Sequence, residues 1–99
     1  MLDEALSELK QAIALDPDYA RAHYNFAAVY GEKERWDEAI REYTRAIELQ
    51  PDYADAHNNL AVAYGVIGNH TLAIFHCDKA IALGYKVDPP LKQFPKPYR

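Results

Sequence analysis

Residue types that carry covalent chemistry are scarce in this chain. There is one cysteine, Cys77, in 99 residues, so no internal disulfide can form. An unpaired thiol fits a reducing compartment, and a cytoplasmic location is expected. One serine (Ser7) and two threonines (Thr44, Thr71) leave few hydroxyl nucleophiles. Basic residues are outnumbered 11 to 15, for a net charge of −4. A nucleic-acid partner is therefore not expected, since binding one takes a basic stripe that displaces counterions from phosphate. No apolar run approaches the ~20 residues of a membrane span. The start, Met1-Leu2-Asp3-Glu4, is acidic where a signal peptide is basic. Membrane insertion is not expected. What the chain does have is 49% hydrophobic residues, enough for a core and too many for disorder. Eight tyrosines are also present, and they call for a packing explanation.

Self-comparison supplies the architecture. Shifting Ala20–Tyr53 by 34 residues onto Ala54–Val87 gives 12 identities without a gap. His23, Asn25, Ala27, Tyr30, Gly31, Ala39, Ala46 and Leu49 recur, for example, as His57, Asn59, Ala61, Tyr64, Gly65, Ala73, Ala80 and Leu83. The same shift carries Leu2–Tyr19 onto Trp36–Tyr53 with ten matches in 18, including Pro17-Asp18-Tyr19 onto Pro51-Asp52-Tyr53. The chain divides into a half unit (2–19), two full units (20–53 and 54–87) and a terminal segment (88–99).

Each full unit reads as two helices. The first spans about Tyr19 to Glu32, with His23, Phe26, Ala27 and Tyr30 on one face. Pro17 stops the preceding helix, and Asp18 is the expected N-cap. The second spans about Trp36 to Leu49, with Ala39, Ile40, Tyr43, Ala46 and Ile47 facing inward and Pro51 ending it. Gly68-Asn69 supplies the turn between the helices of the second unit, and Gly84 stands where a C′ glycine belongs. The recurrent alanines let two helices approach closely while large residues fill the flanking gaps.

These residues resemble the tetratricopeptide repeat (TPR), a 34-residue helix pair. In the first unit His23, Phe26, Ala27, Tyr30, Ala39, Tyr43, Ala46 and Pro51 occupy its signature positions; in the second, His57, Leu60, Ala61, Tyr64, Ala73, Cys77, Ala80 and Tyr85 do. Histidine replaces the usual tryptophan in both, Cys77 an aromatic, and Tyr85 the proline. The resemblance implies an all-α fold, a right-handed superhelical stack of antiparallel helix pairs. It further implies a concave face lined by the first helix of each unit, here Arg21, Tyr24, Ala28, Gly31 and Glu32, then Asp55, Asn58, Val62, Gly65 and Val66. On that reading the small residues leave a channel floor, Tyr24 is an aromatic platform, and Asn58 can bond a peptide backbone. Chaperone-binding members clamp a carboxylate with Lys, Asn, Asn, Lys and Arg; of these only Asn59 survives, with Tyr24, Ala28, Pro89 and Gln93 at the other places.

The two ends depart from whole units. Residues 2–15 match the second helix of a unit whose first helix is missing, so Leu2, Leu6, Leu9 and Ile13 are expected to include uncovered positions. Two copies could cover them by twofold docking, with Leu2, Leu6 and Leu9 as the self-association residues. At the other end the register places Leu91, Phe94 and Tyr98 at first-helix anchor positions, after Asp88-Pro89 as a helix start. Pro95 and Pro97 forbid a regular continuation, which predicts a short capping helix. Residues 1–84 carry 7 basic and 14 acidic side chains, and residues 85–99 carry 4 and 1, so the tail is basic against an acidic body.

Candidate chemistry is thin. His23 and His57 are expected to be core histidines and not metal ligands. His76 and Cys77 point about 100° apart on a helix; Cys77 is expected to be buried, and His70 and His76 exposed. No catalytic residue, cofactor or metal site is expected, and the chain is not expected to be an enzyme. The expected function is a protein–protein interaction scaffold that takes a partner peptide or helix on Arg21, Tyr24, Ala28, Glu32, Asp55, Asn58, Val62 and Val66. Alternatives are a self-assembling unit forming a homodimer, or an accessory fragment of a larger protein.

Overall fold

A computed structural model describes residues 2–16 and 18–85, without the side chains of Leu2, Asp3 and Ala5. The expected capping helix with Leu91, Phe94 and Tyr98 lies outside the described residues. Among those described there are five helices and no strand: α1 (Leu2–Leu15), α2 (Ala20–Glu32), α3 (Trp36–Leu49), α4 (Ala54–Val66) and α5 (His70–Ala82). The most intimate pairs are α2 with α3 and α4 with α5, as two-helix units require. Packing of α1 on α2, α3 on α4 and α2 on α4 joins the units into a stack.

Alanine sets the helix spacing. Ala27, Ala39, Ala46, Ala56, Ala63 and Ala80 are fully buried, so backbones meet where no bulky group intervenes. Large residues fill the gaps on either side: Leu6, Phe26, Tyr30, Tyr43 and Leu60 are buried in one cluster with Ala27, Ala39, Ala46 and Ala56. The rings of Phe26 and Tyr30 stack at 4.7 Å. Tyr30 and Tyr43 are thus core residues, and Tyr24, Tyr53 and Tyr64 pack against that core.

Three helices end by one device. The amides of Arg35, Asn69 and Tyr85 donate back to the carbonyls of Tyr30, Tyr64 and Ala80 at 2.9, 2.8 and 2.9 Å. Each of these six-residue closures needs a left-handed residue, supplied by Glu34 (φ 60°), Gly68 (87°) and Gly84 (97°). The glycine positions agree with the sequence expectation. At the other ends, Asn69 Oδ1 accepts from the Leu72 amide at 3.2 Å and caps α5. The expected cap at Asp18 is corrected: Tyr19 is the N-cap of α2, with no side-chain bond. Asp18 is exposed instead, 3.7 Å from Arg45.

Candidate functional site

The eight residues expected on the concave face fall on α2 and α4 at intervals of three and four, so each set shares one helix face. On α2, Arg21 and Glu32 are exposed and Tyr24 and Ala28 half-buried. On α4, Asp55 is exposed, Val62 and Val66 are 41% and 55% exposed, and Asn58 is buried. Val62 and Val66, one turn apart on α4, are thus open to water, and Ile67, next in sequence, is 47% exposed.

Three expectations for this face are corrected by the packing. Tyr24 is no free platform. Its ring stacks on Tyr53 at 5.0 Å and meets Tyr43 edge-on at 5.6 Å, while Asn59 Nδ2 donates to its hydroxyl at 2.9 Å. Burial raises the Tyr24 hydroxyl above its ordinary value, the Asp55 carboxylate adding to it and the Asn59 bond opposing. Tyr24 therefore joins one unit to the next. Asn58 is turned inward: its Nδ2 donates to the Tyr85 hydroxyl at 3.1 Å and to Asn59 Oδ1 at 3.3 Å. Asn58 Oδ1 has no hydrogen-bond partner among the described residues. Gly31 is not channel floor, since a Cβ there would stand 3.4 Å from the Trp36 ring; at Gly65 a Cβ would meet nothing.

The N-terminal helix also differs from expectation. Leu6 is buried at 8% exposure within the main cluster, and Leu9 and Ile13 pack partly buried against it. Leu6, Leu9 and Ile13 correspond by the 34-residue shift to Ile40, Tyr43 and Ile47. The helix that packs on α1 is α2, the first helix of the next unit. Leu6 is thus spent within the chain and does not lie on an open face. The side chain of Leu2 is outside the described residues.

The histidines hold what the sequence reading missed. His23 is buried as expected, but its Nδ1 lies 2.7 Å from Glu42 Oε1; a carboxylate only accepts, so Nδ1 carries the proton. His57 is also buried, and its Nδ1 lies 3.0 Å from Nδ1 of His76. The expectation of an exposed His76 is corrected: it is half-buried between His57 and Tyr64, whose ring lies 5.7 Å away. Desolvation, with His57 adding to it, pushes His76 down to about 4. Both contacts span 19 residues, and the repeat shift maps His23 and Glu42 onto His57 and His76; that shared offset was the available signal. Cys77 is buried as expected. Among the described residues no group of three or more His, Cys, Asp or Glu side chains could hold a metal ion.

Against known families, the sequence model described as TPR repeat matches residues 2–34 and 29–68, two overlapping hits that span well over half of the chain. The chain belongs to the tetratricopeptide-repeat family. Its all-α stack of helix pairs recurs in solved TPR proteins. MamA superposes with a TM-score of 0.81 at 31% identity, covering 84% of this chain and 48% of MamA. YrrB, described as a TPR protein with an unusual peptide-binding site, gives 0.78 at 29% identity, covering 84% and 43%. The TPR2B domain of yeast Sti1, solved in complex with pHsp70, gives 0.80 at 26%, covering 83% and 66%. This TPR chain spans about half the length of the MamA chain it matches. Comparison with curated protein sequences returns no match. No described helix is long and apolar enough to cross a membrane.

Proposed function

We propose that this TPR chain is a non-catalytic interaction scaffold that takes an extended or helical segment of a protein partner along α2 and α4. The observation that carries the reading is the exposure of Val62 and Val66, 41% and 55%, one turn apart on the inner helix of a unit. Exposed apolar side chains rimmed by charge mark contact surfaces more often than scattered ones do. Arg21, Glu32 and Asp55 supply that rim, and Ala28 leaves room beside it. The peptide-binding site described for YrrB and the pHsp70 complex of the Sti1 domain lend support from the same fold. A carboxylate clamp is not part of the proposal, because Asn59 spends its amide on Tyr24. The partner is instead an apolar segment, with at least one basic residue to meet Glu32 or Asp55.

Selection from a displayed peptide library, followed by calorimetry on the winners, tests this. Val66→Asp is expected to weaken binding by about 1–3 kcal/mol, the loss typical of an interface anchor. Arg35→Ala, in the turn between α2 and α3, leaves affinity unchanged. Equal losses from both variants, or a library that yields no binder, would remove the groove from consideration.

A further inference from the structure

The two helix pairs are closed by side-chain contacts at the same repeat positions but of opposite chemistry. In the first pair an imidazole of α2 meets a carboxylate of α3, His23 to Glu42 at 2.7 Å. In the second an imidazole of α4 meets another imidazole of α5, His57 to His76 at 3.0 Å. The ring centroids of the second contact are 5.3 Å apart and the planes 26° off parallel. That separation is about the nitrogen distance plus two ring radii, so the nitrogens point at each other edge to edge. A ligand pair that chelates a metal would converge on a point off that line, and no third ligand is present among the described residues.

The proton inventory of the contact is fixed by its surroundings. His57 Nε2 lies 3.1 Å from the Pro51 carbonyl, which can only accept, so Nε2 holds the proton and Nδ1 is a lone pair. His76 Nδ1–H then donates to it. A proton added to His23 leaves its Nδ1–H on a carboxylate; a first proton added to the second contact still leaves one hydrogen shared between the two Nδ1 atoms, and it is the second that drives N–H against N–H. Among the described residues no carboxylate is a cause of the His76 shift. On α3, Glu42 is bonded to His23, and Arg45 lies 3.5 Å from Glu48. Next to Pro51 and at the start of α4, Asp52 and Asp55 are exposed; on α5, His70, Asp78 and Lys79 are exposed. The Tyr64 ring of α4 lies nearly parallel to His76, 5.7 Å between centroids. Among the described residues, His57 is the one charge that acts on His76, and it adds to the larger effect of burial.

We propose that the α4–α5 pair is an acid-sensitive joint, in which protonation of the His57–His76 contact parts α5 from α4 while the α2–α3 pair stays closed. The linkage runs in the matching direction. An unfolded histidine takes its proton near 6.5, whereas His76 in the fold takes it only near 4. Between those values the unfolded chain binds more protons. The joint is intact above about pH 6.5 and loses stability as pH falls toward 4. Because α4 carries Val62 and Val66, a groove there comes apart at the same pH. That last consequence rests on the groove reading above, whereas the joint does not.

Thermal melts and amide hydrogen exchange between about pH 7.5 and 5 test the joint without any ligand. The wild-type melting temperature is expected to fall by about 5 °C over that range, a shift of the size that ~1 kcal/mol produces in a domain this small. The α5 amides should lose protection before those of α3. His76→Gln keeps a donor that cannot titrate, and its melting temperature should stay level. His76→Glu, which copies the arrangement of the first pair, should remove or reverse the acid loss. NMR titration of the wild-type rings is the second readout, independent of whether a variant folds: one ring of the pair should titrate well below 6.5. A level wild-type melt, a His76→Gln variant as acid-sensitive as wild type, or two rings titrating together near 6.5 would each overturn the proposal.

Discussion

Glu34 is the one non-glycine among the described residues with a positive φ, 60°. A β-carbon in that region crowds the following carbonyl at a cost of roughly 1–2 kcal/mol. The second unit places Gly68 at the same point of its turn, with the same backbone closure. Glu34→Gly is therefore expected to raise stability by about 0.5–1 kcal/mol once the added freedom of the unfolded chain is deducted. Gly68→Ala should lower it by a similar amount. Urea titration measures both. Asn69, the only side-chain cap found among the described helix starts, holds an exposed amide, so Asn69→Ala should cost about 0.5–1 kcal/mol, the lower part of the usual range for lost caps. The sequence shows which residues can cap. Choosing Asp18 over Tyr19 failed because the first turn begins one residue later than periodicity alone suggests, and only the backbone path fixes that.

At the level of the helix pair, small residues define the contact and large ones fill its margins. Ala46 and Ala80 have no exposure at all, so Ala46→Leu or Ala80→Leu should cost about 1–3 kcal/mol through overpacking. Leu60, the largest side chain that is almost wholly buried, should cost about 2–5 kcal/mol on replacement by alanine. Chemical denaturation with a constant m-value distinguishes these packing losses from a change in the unfolded chain. The repeat made all of these positions legible, because a 34-residue shift reproduces each alanine. Partners across a helix pair were harder. Tyr24 looks like a surface aromatic from its place on α2; its stacking on Tyr53 and its bond to Asn59 depend on how far α4 rolls against α2. Tyr24→Phe should cost about 1 kcal/mol by leaving the half-buried Asn59 amide short of an acceptor.

Across the whole molecule, stability is the sum of the pairs and of the interfaces between neighbouring units. Tyr43 lies at such an interface, in contact with Tyr24 of its own unit and in the cluster that holds Leu60 of the next. Burial pushes its hydroxyl up to about 12, with Asn59 opposing. A neutral buried phenol whose folded value is raised stabilises fully below about pH 10, where the unfolded phenol begins to ionise, and that contribution is lost as pH climbs toward 12. Melting temperature should thus fall across that alkaline window, and Tyr43→Phe should flatten the fall. Tyrosinate absorbance followed beside the melt reports whether ionisation and unfolding coincide.

The amino-acid order alone determined the repeat, the helix pairs, the alanine contacts and the left-handed glycine at two of the three closures, because these follow from periodicity and from local backbone sterics. Helix spacing also put Arg21 and Glu32 on one face of α2 and Asp55, Val62 and Val66 on one face of α4; that these faces line a concave side is what the family resemblance implies. Tertiary structure decided everything that depends on the roll and depth of one helix against another. It turned Asn58 inward, spent Tyr24 and Leu6 on internal packing, and gave His23 and His57 different partners at equivalent positions. Side-chain pairing across 19 residues is set by where two helix axes cross, and no local pattern along the chain encodes that crossing.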